Sequence, residues 1–452
     1  SLSFAHSEQT LFPGSDWTIN TNNSHFNSIY DPFVIYDYSI EASNTSGTYF
    51  QFENFFVEIR NQYNQFQGGH NQSVYQSSFA ANAVIDLQGK NITLEAVSGP
   101  DSTFIDGEED YTALDMDASN DDYEGYAAST EFIGFTFKNG PDDEPLINIV
   151  GPGISSSLDW APTFTNCRFI DSEVSADDND VAPVVIKNAE PTFDGCEFRN
   201  LHVEMAPNYN LNEIYGPIRM GGTDSGSDTT AFRTKFKNCV IVGNSLTTNS
   251  QQTFVKFKGG AVYIHYGAIP SFENTRIDSN KIDIGTGYDM TKHKASGGGV
   301  YIDNYMSRGE EIKFVNTSIS YNEIIGEDVL GGGVFARYPS IEFINCVLVE
   351  NSITASYAAS HDAGLETMGG AIFWSTDINA YSVPPNLFAA PELRVINCTI
   401  ADNSITPSNY DIYLPITAGA GISREQTDNH QTVIFNSIIY DNEIEGYMES
   451  EN

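Results

Sequence analysis

Aromatic residues recur at one position of a repeated glycine phrase, and this arrangement could bind carbohydrate. The phrase is represented by Gly259-Gly260-Ala261-Val262, and the position after its aliphatic residue holds Tyr263, Tyr301, Phe335 and Phe373. Strand alternation puts Val262 and Tyr263 on opposite faces. If the rings face outward they form a stripe on which sugars could stack, and if they face inward they form a core stack. Arg219 and Ser423 at the same position favour the outward orientation.

Acidic residues cluster at positions 106–122 and 177–180 and offer oxygen ligands for calcium. The candidate ligands are Asp106, Asp115, Asp117 and Asp121. The order of carboxylates in a calcium-binding loop is absent, as is the glycine-rich nonapeptide of calcium-binding β-rolls. The alternative is a solvated acidic surface suited to salty surroundings. Calcium is the one cofactor that the sequence suggests.

Basic residues could serve a polysaccharide lyase, which needs a base to take the proton beside a uronate and a cation to neutralise its carboxylate. The candidates are Lys187, Arg219, Lys256, Lys258, Lys292, Lys294 and Arg337. A glycoside hydrolase needs two carboxylates at the right separation, and 61 acidic residues always supply such a pair. No catalytic residue is assigned on this basis.

The charge of the chain limits its partners. The 452 residues carry 61 Asp and Glu against 21 Lys and Arg, a formal net charge of −40. This argues against nucleic acid as a partner and against a basic membrane-binding surface, and it would repel a polyuronate unless calcium bridged the two. Aromatic residues make up 12% of the chain, which supplies a core and argues against disorder. No stretch approaches 18 consecutive apolar residues, so we expect no membrane-spanning segment.

Two alternating phrases position all these residues. The first is represented by Phe236-Lys237-Asn238-Cys239, and the second is the glycine phrase. Spacings at the repeated Asn position vary between 29 residues (Asn166 to Gly195) and 52 residues (Asn345 to Asn397). Short β-branched strands joined by connections of variable length indicate a coiled ribbon with insertions at its corners.

Asn and Cys fall in fixed columns of the repeat. A second Asn follows the first by six residues, as Asn280 follows Asn274, and we expect both at bends because Asn tolerates left-handed backbone. The position after the first Asn holds all five cysteines, which are Cys167, Cys196, Cys239, Cys346 and Cys398. A disulfide framework or a metal site would not use one column in this way, so we predict an internal ladder of small side chains.

The repeat resembles the right-handed parallel β-helix of the pectate-lyase-like superfamily. Its glycine phrases, paired with segments such as Ile277-Asp278-Ser279-Asn280, are similar to the GGA[ILV] and FxxN repeats of polymorphic outer membrane proteins. The resemblance implies an all-β, right-handed parallel β-helix of about nine or ten coils, with long corner insertions, over residues 84–444. It implies little about activity, because this fold hosts lyases, hydrolases, adhesins and fibre segments. No lyase signature is recognisable, and the Asn-Thr-Asp and Gly-His-Gly signatures of hydrolases with this fold are absent.

The ends of the chain lack the repeat. Residues 1–83 are rich in aromatics and are expected to cap the first coil, with a small separate binding module as the alternative. Residues 445–452 form an acidic tail, and no aromatic-rich cap precedes it. We therefore expect self-association or a further domain at that end. Residues 1–20 contain no Lys or Arg and no apolar run, so we expect no signal peptide among them, and either a cytosolic protein or one whose signal has been removed.

Together these features predict a secreted or cell-surface β-helix that acts as an adhesin or structural stalk and binds glycans or a cell-surface partner. Corner insertions at Thr354–Met368 and Ser375–Pro391 would supply recognition on a rigid scaffold. The alternative is a polysaccharide lyase or glycoside hydrolase that works in a groove on one sheet face. A Lys or Arg beside clustered carboxylates in such a groove would favour the enzyme.

Overall fold

A computed structural model describes most of the predicted coil. The described residues are 18–19, 42–43, 83–86, 92–118, 130–151, 160–176, 181–205, 212–222, 231–248, 255–284, 293–304, 310–326, 328–355, 366–375, 391–406, 416–424 and 431–444. Within these ranges every regular element is a β-strand, and no helix long and apolar enough to cross a bilayer occurs there. Most of the predicted cap and the acidic tail lie outside the described residues, so both stay predictions.

The described strands after residue 82 form four sheets whose neighbouring strands are all parallel. From Glu213–Tyr215 onward the coils visit the sheets in the order I, II, III, IV, whereas the described strands before residue 213 pass from sheet II directly to sheet IV. A separate antiparallel pair joins Thr18–Ile19 to Ala42–Ser43. Sheet I consists of Thr93–Glu95, Glu131–Ile133, Thr163–Thr165, Thr192–Asp194, Lys235–Lys237, Ser271–Glu273, Glu311–Val315, Ser340–Ile344, Glu392–Ile396 and Gln431–Phe435.

Sheet II is the widest, because most coils cross it with two consecutive strands. It consists of Phe104–Asp106, Thr136–Lys138, Arg168–Ala176, Glu197–Met205, Val240–Val242, Ser245–Thr248, Arg276–Asp278, Lys281–Asp283, Ser318–Ser320, Glu323–Gly326, Val347–Val349, Ser352–Ala355, Thr399–Ala401, Ser404–Thr406, Ile438–Tyr440 and Glu443–Ile444.

Sheets III and IV follow one another through the glycine phrase. Sheet III consists of Glu213–Tyr215, Lys256–Lys258, Lys294–Ser296, Asp328–Leu330, Glu366–Met368 and Ile416–Ala418. Sheet IV consists of Ala83–Asp86, Thr112–Asp117, Ile147–Val150, Val184–Lys187, Ile218–Gly221, Val262–His265, Val300–Asp303, Val334–Arg337, Ile372–Ser375 and Ile422–Arg424. The all-β parallel β-helix is therefore confirmed, whereas its handedness and the number of coils stay predictions.

Two apolar cores run along the coil. The main core lies between sheet I, the first strands of sheet II, and sheet IV, and it includes Phe272, Ile277 and Val262. Its Phe side chains stack from coil to coil with ring centroids 4.8–5.2 Å apart. A smaller core lies between the second strands of sheet II and sheet III, where Ile282 meets Phe257. Each strand is too short to bury its apolar side alone, so stacking of neighbouring coils completes both cores.

The two Asn columns have different roles. The first column has the predicted left-handed backbone, with φ of 50° at Asn274 and 49° at Asn316. In the second column the prediction was wrong: the left-handed residue is the preceding one, Ser279 or Tyr321, while Asn280 and Asn322 are buried. Their amides form a chain in which Asn280 Nδ2 donates to Asn322 Oδ1 at 2.9 Å, and each Oδ1 also accepts the backbone N–H of the Asn before it. Buried amides thus replace the backbone hydrogen bonds that the bend removes.

The cysteine column is internal, as predicted. All five thiols are free and buried. Each Sγ donates to a backbone carbonyl one coil earlier, as Cys239 Sγ does to Phe193 O at 3.4 Å. Thr275 and Thr317 make the same bond with their hydroxyls. The column therefore favours a small side chain that can donate a hydrogen bond. The thiol of Cys is a weak donor and the hydroxyl of Thr is a stronger one.

Candidate functional site

The predicted aromatic stripe lies outside both cores. Val262 and Ile264 face the main core, and Tyr263 between them points to the outer side of sheet IV. Strand register places five further residues in its column, which are Arg219, Tyr301, Phe335, Phe373 and Ser423. The four rings stack with centroids 4.7–5.5 Å apart. The outward direction inferred from Arg219 and Ser423 is therefore observed.

The stripe is nevertheless covered. Its four rings are only 2–6% exposed and form a cluster of their own with Tyr215, Leu330 and Met368. These three residues belong to a column on sheet III, the position just before the first Gly of each glycine phrase, which also holds Lys258 and Ser296. The outer faces of sheets III and IV thus meet in a concave corner, which we name the III–IV corner.

Glycine creates the corner. The first Gly of the phrase has a left-handed backbone, with φ of 83° at Gly259 and 74° at Gly297, which other residues adopt at a cost. A Cβ at the second position, Gly298, would collide with the carbonyl oxygen of Gly332 on the next coil. The chain can therefore turn sharply between the two sheets while the coils stay in close contact. Tyr215 of sheet III consequently stacks on Tyr263 of sheet IV, with centroids 4.2 Å apart.

The end of the corner nearest Tyr215 is polar. Glu213 accepts hydrogen bonds from Lys258 Nζ at 2.5 Å and from Lys256 Nζ at 3.0 Å. Lys258 is buried, and its Nζ lies 5.4–5.8 Å from the ring centres of Tyr215, Tyr263 and Tyr301, within cation–π range. Burial lowers the pKa of Lys258, and the charge of Glu213 opposes this effect. Burial would raise the pKa of Glu213, but Lys258 and Lys256 outweigh it and lower that pKa to about 2.

Tyr215 connects this ion pair to the mouth of the corner. Its hydroxyl donates to Glu213 Oε2 at 3.1 Å, and the guanidinium of Arg219 lies 4.9 Å from its ring centre. Burial, followed by the charge of Glu213, raises the pKa of Tyr215. The phenol therefore stays protonated and acts as a donor. Arg219, Tyr215 and Glu213 are half-buried, so this end of the corner is reached by solvent.

His265 lies beside the aromatic column on sheet IV. It is 7% exposed, its ring stacks at 4.9 Å from that of Tyr263, and a Cβ at Gly221 on the preceding coil would collide with it. Burial lowers the pKa of His265 well below its usual value, and Arg219, Lys258 and Lys187 lower it further. The imidazole is thus neutral at neutral pH. Its Nδ1 is buried and has no hydrogen-bond partner among the described residues.

A second ion pair follows His265 in the same column. Arg337 Nε donates to Asp303 Oδ1 at 3.1 Å and Nη2 donates to Oδ2, a bidentate pair. Burial would lower the pKa of Arg337, but the hydrogen bond with Asp303 and the nearby charges of Tyr301 and Asp303 together outweigh it and raise that pKa. Tyr301 Oη also donates to Asp303 at 3.5 Å, which ties the pair to the ring column.

The corner contains four of the basic residues that the sequence suggested for catalysis, namely Arg219, Lys256, Lys258 and Arg337. Lys187 lies two coils before His265 on sheet IV and acts on its charge state. Lys294 lies farther along sheet III, paired with Asp328 at 2.5 Å, and Lys292 lies outside the described residues. Sequence reasoning missed Glu213, Tyr215, His265 and Asp303. The position before the glycine phrase, where Tyr215 and Lys258 stand, was the available signal.

The calcium candidates do not converge in the part of the chain that is described. Asp106 is engaged by Lys138 Nζ at 2.9 Å and by Asn139 Nδ2 at 2.9 Å. Burial would raise the pKa of Asp106, but these partners lower it. Asp115 and Asp117 lie on the outer face of sheet IV, where Asp115 accepts from Asn148 Nδ2 at 2.9 Å, and Asp121 is not described. Among the described residues no group of three His, Cys, Asp or Glu could hold a metal, and calcium binding elsewhere stays a prediction.

Comparison with known proteins adds no relative to this description: no protein-family model, no curated protein and no solved structure matches the chain.

Proposed function

We propose that the protein is a secreted or cell-surface β-helix of the right-handed, pectate-lyase-like type that serves as an adhesin or stalk and binds glycans at the III–IV corner. One observation carries this proposal: a continuous aromatic column lies outside both cores and ends among charged side chains at a mouth that solvent reaches. Aromatic faces beside hydrogen-bonding groups are the surface that a sugar ring fits.

The charged groups of the corner support binding over a purely structural role. The main core is complete without them, and burying Lys258 beside Glu213 costs desolvation that an apolar pair would avoid. A fold that needed only to close this corner could use aliphatic residues, as it does at Leu330 and Met368 farther along. Functional surfaces are where such costs are tolerated.

Rigidity suits the corner for binding. The buried Asn chain and the stacked Phe rings link each coil to the next by side-chain contacts in addition to the parallel ladders. The corner is built on strands of sheets III and IV, so its side chains are held in fixed positions. A rigid column of stacked coils is also what a stalk requires.

A polysaccharide lyase is the second candidate, and Lys258 favours it. This amine has a lowered pKa and lies near Arg219 and Glu213, the combination of base, cation and carboxylate that the enzyme hypothesis requires. The adhesin is favoured because the Lys258 ammonium is held by Glu213 at 2.5 Å and Arg337 by Asp303, so both cations are already engaged.

A panel of polysaccharides separates the two functions. We expect saturable binding to at least one neutral or acidic polysaccharide, measured by biolayer interferometry, without release of unsaturated sugars detected by ultraviolet absorbance. Tyr215→Ala should weaken that binding at least tenfold, because it removes the half-buried first ring of the corner.

The matched control is Tyr440→Ala, which removes an exposed Tyr from sheet II, away from the corner. It should bind like the wild type. Turnover of any panel member that is abolished by Lys258→Met would favour the lyase, and an absence of both binding and turnover would leave only a structural role.

A further inference from the structure

The outer face of sheet II carries one imidazole and two hydroxyl groups that hydrogen-bond to one another, His202, Ser245 and Thr247, which we name the sheet II cluster. We propose that Ser245 is a nucleophile and His202 its general base, and that the pair hydrolyses small carboxylic esters. The cluster lies on a different sheet from the III–IV corner. This activity therefore goes beyond the proposed glycan binding and does not depend on it.

Strand alternation and register place the cluster. Leu246 faces the smaller core, whereas Ser245 and Thr247 on either side of it point outward. Register sets His202 of the preceding coil directly beside Ser245. All three polar side chains are half-buried, so solvent reaches them while neighbouring strands hold them in fixed positions.

Two hydrogen bonds join the three side chains. His202 Nδ1 lies 2.7 Å from Ser245 Oγ, and His202 Nε2 lies 3.1 Å from Thr247 Oγ1. When the ring carries its proton on Nε2, that N–H donates to Thr247, and Nδ1 accepts the hydroxyl proton of Ser245. Thr247 then orients the base, and the base contacts the nucleophile, which is the arrangement that activates a serine. Among the described residues, His202 is the one hydrogen-bond partner of Ser245 Oγ.

A cation stands on the other side of Ser245. Lys281 is its register neighbour on the next coil, and Lys281 Nζ binds Asp283 at 3.0 Å and Glu323 at 3.2 Å. An ammonium has three N–H groups, so one is left for the oxyanion that forms when a serine attacks a carbonyl. Burial would lower the pKa of Lys281, but its hydrogen bonds with Asp283 and Glu323 and their charges outweigh it and raise that pKa. Lys281 therefore stays charged.

Water is the co-reactant of the proposed reaction. Ser245 Oγ attacks the ester carbonyl carbon while its proton passes to His202 Nδ1, and the bond to the alcohol oxygen breaks as the imidazolium gives that oxygen the proton. A water molecule, deprotonated by His202, then attacks the acyl-serine and releases the carboxylic acid and free Ser245. Glu173, the register neighbour of His202 on the preceding coil, carries a negative charge that favours the imidazolium in both steps.

The surroundings of the cluster limit its substrate. In register, Thr247 lies between Glu204 and Asp283, and Glu173 lies beside the imidazole. Because these described neighbours are polar, a long acyl chain would find no apolar wall among them. Their carboxylates also disfavour an anionic ester. The substrate class is therefore a neutral ester with a short acyl group.

The first test is hydrolysis of p-nitrophenyl acetate by the full chain, followed by the absorbance of p-nitrophenolate. The wild-type rate should be at least tenfold above the rates of Ser245→Ala and His202→Gln, and at least fivefold above its own rate on p-nitrophenyl octanoate. The matched control is Ser352→Ala, which should retain at least half of the wild-type rate. Ser352 stands in the same outer column of sheet II, but its register neighbours are Glu323 and Ser404.

The positioning role of Thr247 has its own test. Thr247→Val removes the hydroxyl that holds His202 Nε2 and should lower the rate on p-nitrophenyl acetate at least threefold. Thr247→Ser keeps a hydroxyl at the same place and should restore at least half of the wild-type rate. Equal rates for the Val and Ser variants would overturn this role.

Labelling of the wild-type protein tests the nucleophile without a variant. Diisopropyl fluorophosphate reacts with activated serines, and peptide mass spectrometry should find it on Ser245 and not on Ser352. Equal labelling of the two serines, or a rate unchanged in Ser245→Ala, would overturn the proposed nucleophile. Equal rates on the acetate and the octanoate would overturn the short-acyl substrate class. Each of these results leaves glycan binding at the III–IV corner intact, and a failure of glycan binding leaves the ester hydrolysis intact.

Discussion

Two aromatic columns run along this β-helix, and they differ in what surrounds them. The inner column of Phe rings, which includes Phe236 and Phe272, is fully buried among apolar side chains. The outer column in the III–IV corner, which includes Tyr263 and Tyr301, is almost as buried but touches Lys258 and Asp303. Both columns stack at similar spacing, 4.8–5.2 Å inside and 4.2–5.5 Å in the corner.

The two columns therefore differ in the chemistry of their side chains and not in their stacking geometry. Parallel strands in register repeat any side chain every coil, so stacking alone does not identify a function. The inner column is apolar throughout, with Phe on its middle coils and Leu, Val or Ile toward its ends, because it only fills volume. The outer column changes along its length from Arg219 and Tyr263 to Phe335 and Phe373, and its polar end lies beside the first described strand of sheet III. A change from apolar to charged side chains, at a position whose geometry stays constant from coil to coil, is what distinguishes the outer column.

The largest effect is expected from shortening the inner column. Phe272→Ala removes a ring that stacks on Phe236 and Phe314, and it should lower the free energy of unfolding by about 4 kcal/mol through lost burial and the remaining cavity. Urea unfolding followed by circular dichroism measures this loss. Phe272→Leu, the milder control, should cost clearly less, and equal losses for the two variants would show that packing of the ring is unimportant.

The Asn columns provide the next contrast. Asn322→Ala removes an amide whose Nδ2 donates to Ile277 O and whose Oδ1 accepts from Asn280, so it should cost on the order of 3 kcal/mol. Asn274→Gly in the exposed column keeps the left-handed backbone and should cost less than about 1 kcal/mol. The same urea experiment compares them. Similar losses would mean that burial does not distinguish the two columns.

Acid should weaken the corner. The pKa of Glu213 falls from its ordinary value of 4.5 to about 2 in the folded protein, so its stabilising effect is present above pH 4.5 and is lost as the pH falls toward 2. Because solvent screening and the burial of Lys258 reduce the gain, Glu213→Gln should cost about 1–2 kcal/mol at pH 6. Urea unfolding at pH 6 and pH 3 should show this difference shrinking with acidity. A difference that stays constant would contradict the assignment.

The smallest effect on stability is expected from removing the charge of Lys258. Lys258→Met removes a buried charge and leaves Glu213 paired with Lys256 at 3.0 Å, so the free energy of unfolding should change by less than about 1 kcal/mol. Thermal unfolding of this variant beside the wild type measures the change. A loss as large as that of Phe272→Ala would make the outer column a second structural core and remove the contrast.

Much of the coil could be predicted from the sequence because each column repeats one physical requirement. The Cys and Thr column needs a small donor inside, and the first Asn column needs left-handed backbone, so residue type alone identified them. The backbone conformation of the second Asn column was predicted wrongly because two structural requirements fall on adjacent residues. Ser279 bends the chain, while Asn280 replaces the lost backbone hydrogen bonds. Asn can adopt a left-handed backbone and can also replace backbone hydrogen bonds with its side chain. The residue type alone therefore does not show which of these two requirements it meets.

Only part of the III–IV corner could be predicted from the sequence. Alternation placed Tyr263 on the outer face, but what covers that face depends on how sheet III turns at Gly259. Lys258 stands at a fixed spacing before Tyr263, but its approach to the stripe depends on that turn. Tyr215 comes from the preceding coil, and the chain between coils varies in length, so no fixed spacing predicts its contact with Tyr263. The polar end of the III–IV corner could not be predicted from the sequence. Its residues Glu213, His265 and Asp303 belong to three different strands, which come together only when the coils stack.

A crystal structure of the protein with an oligosaccharide of the polysaccharide that it binds tests the binding corner most directly. We predict a sugar ring against Tyr215, the half-buried first ring of the corner. Density for the oligosaccharide on the outer face of sheet I or sheet II, with the III–IV corner unchanged from the free protein, would contradict the account.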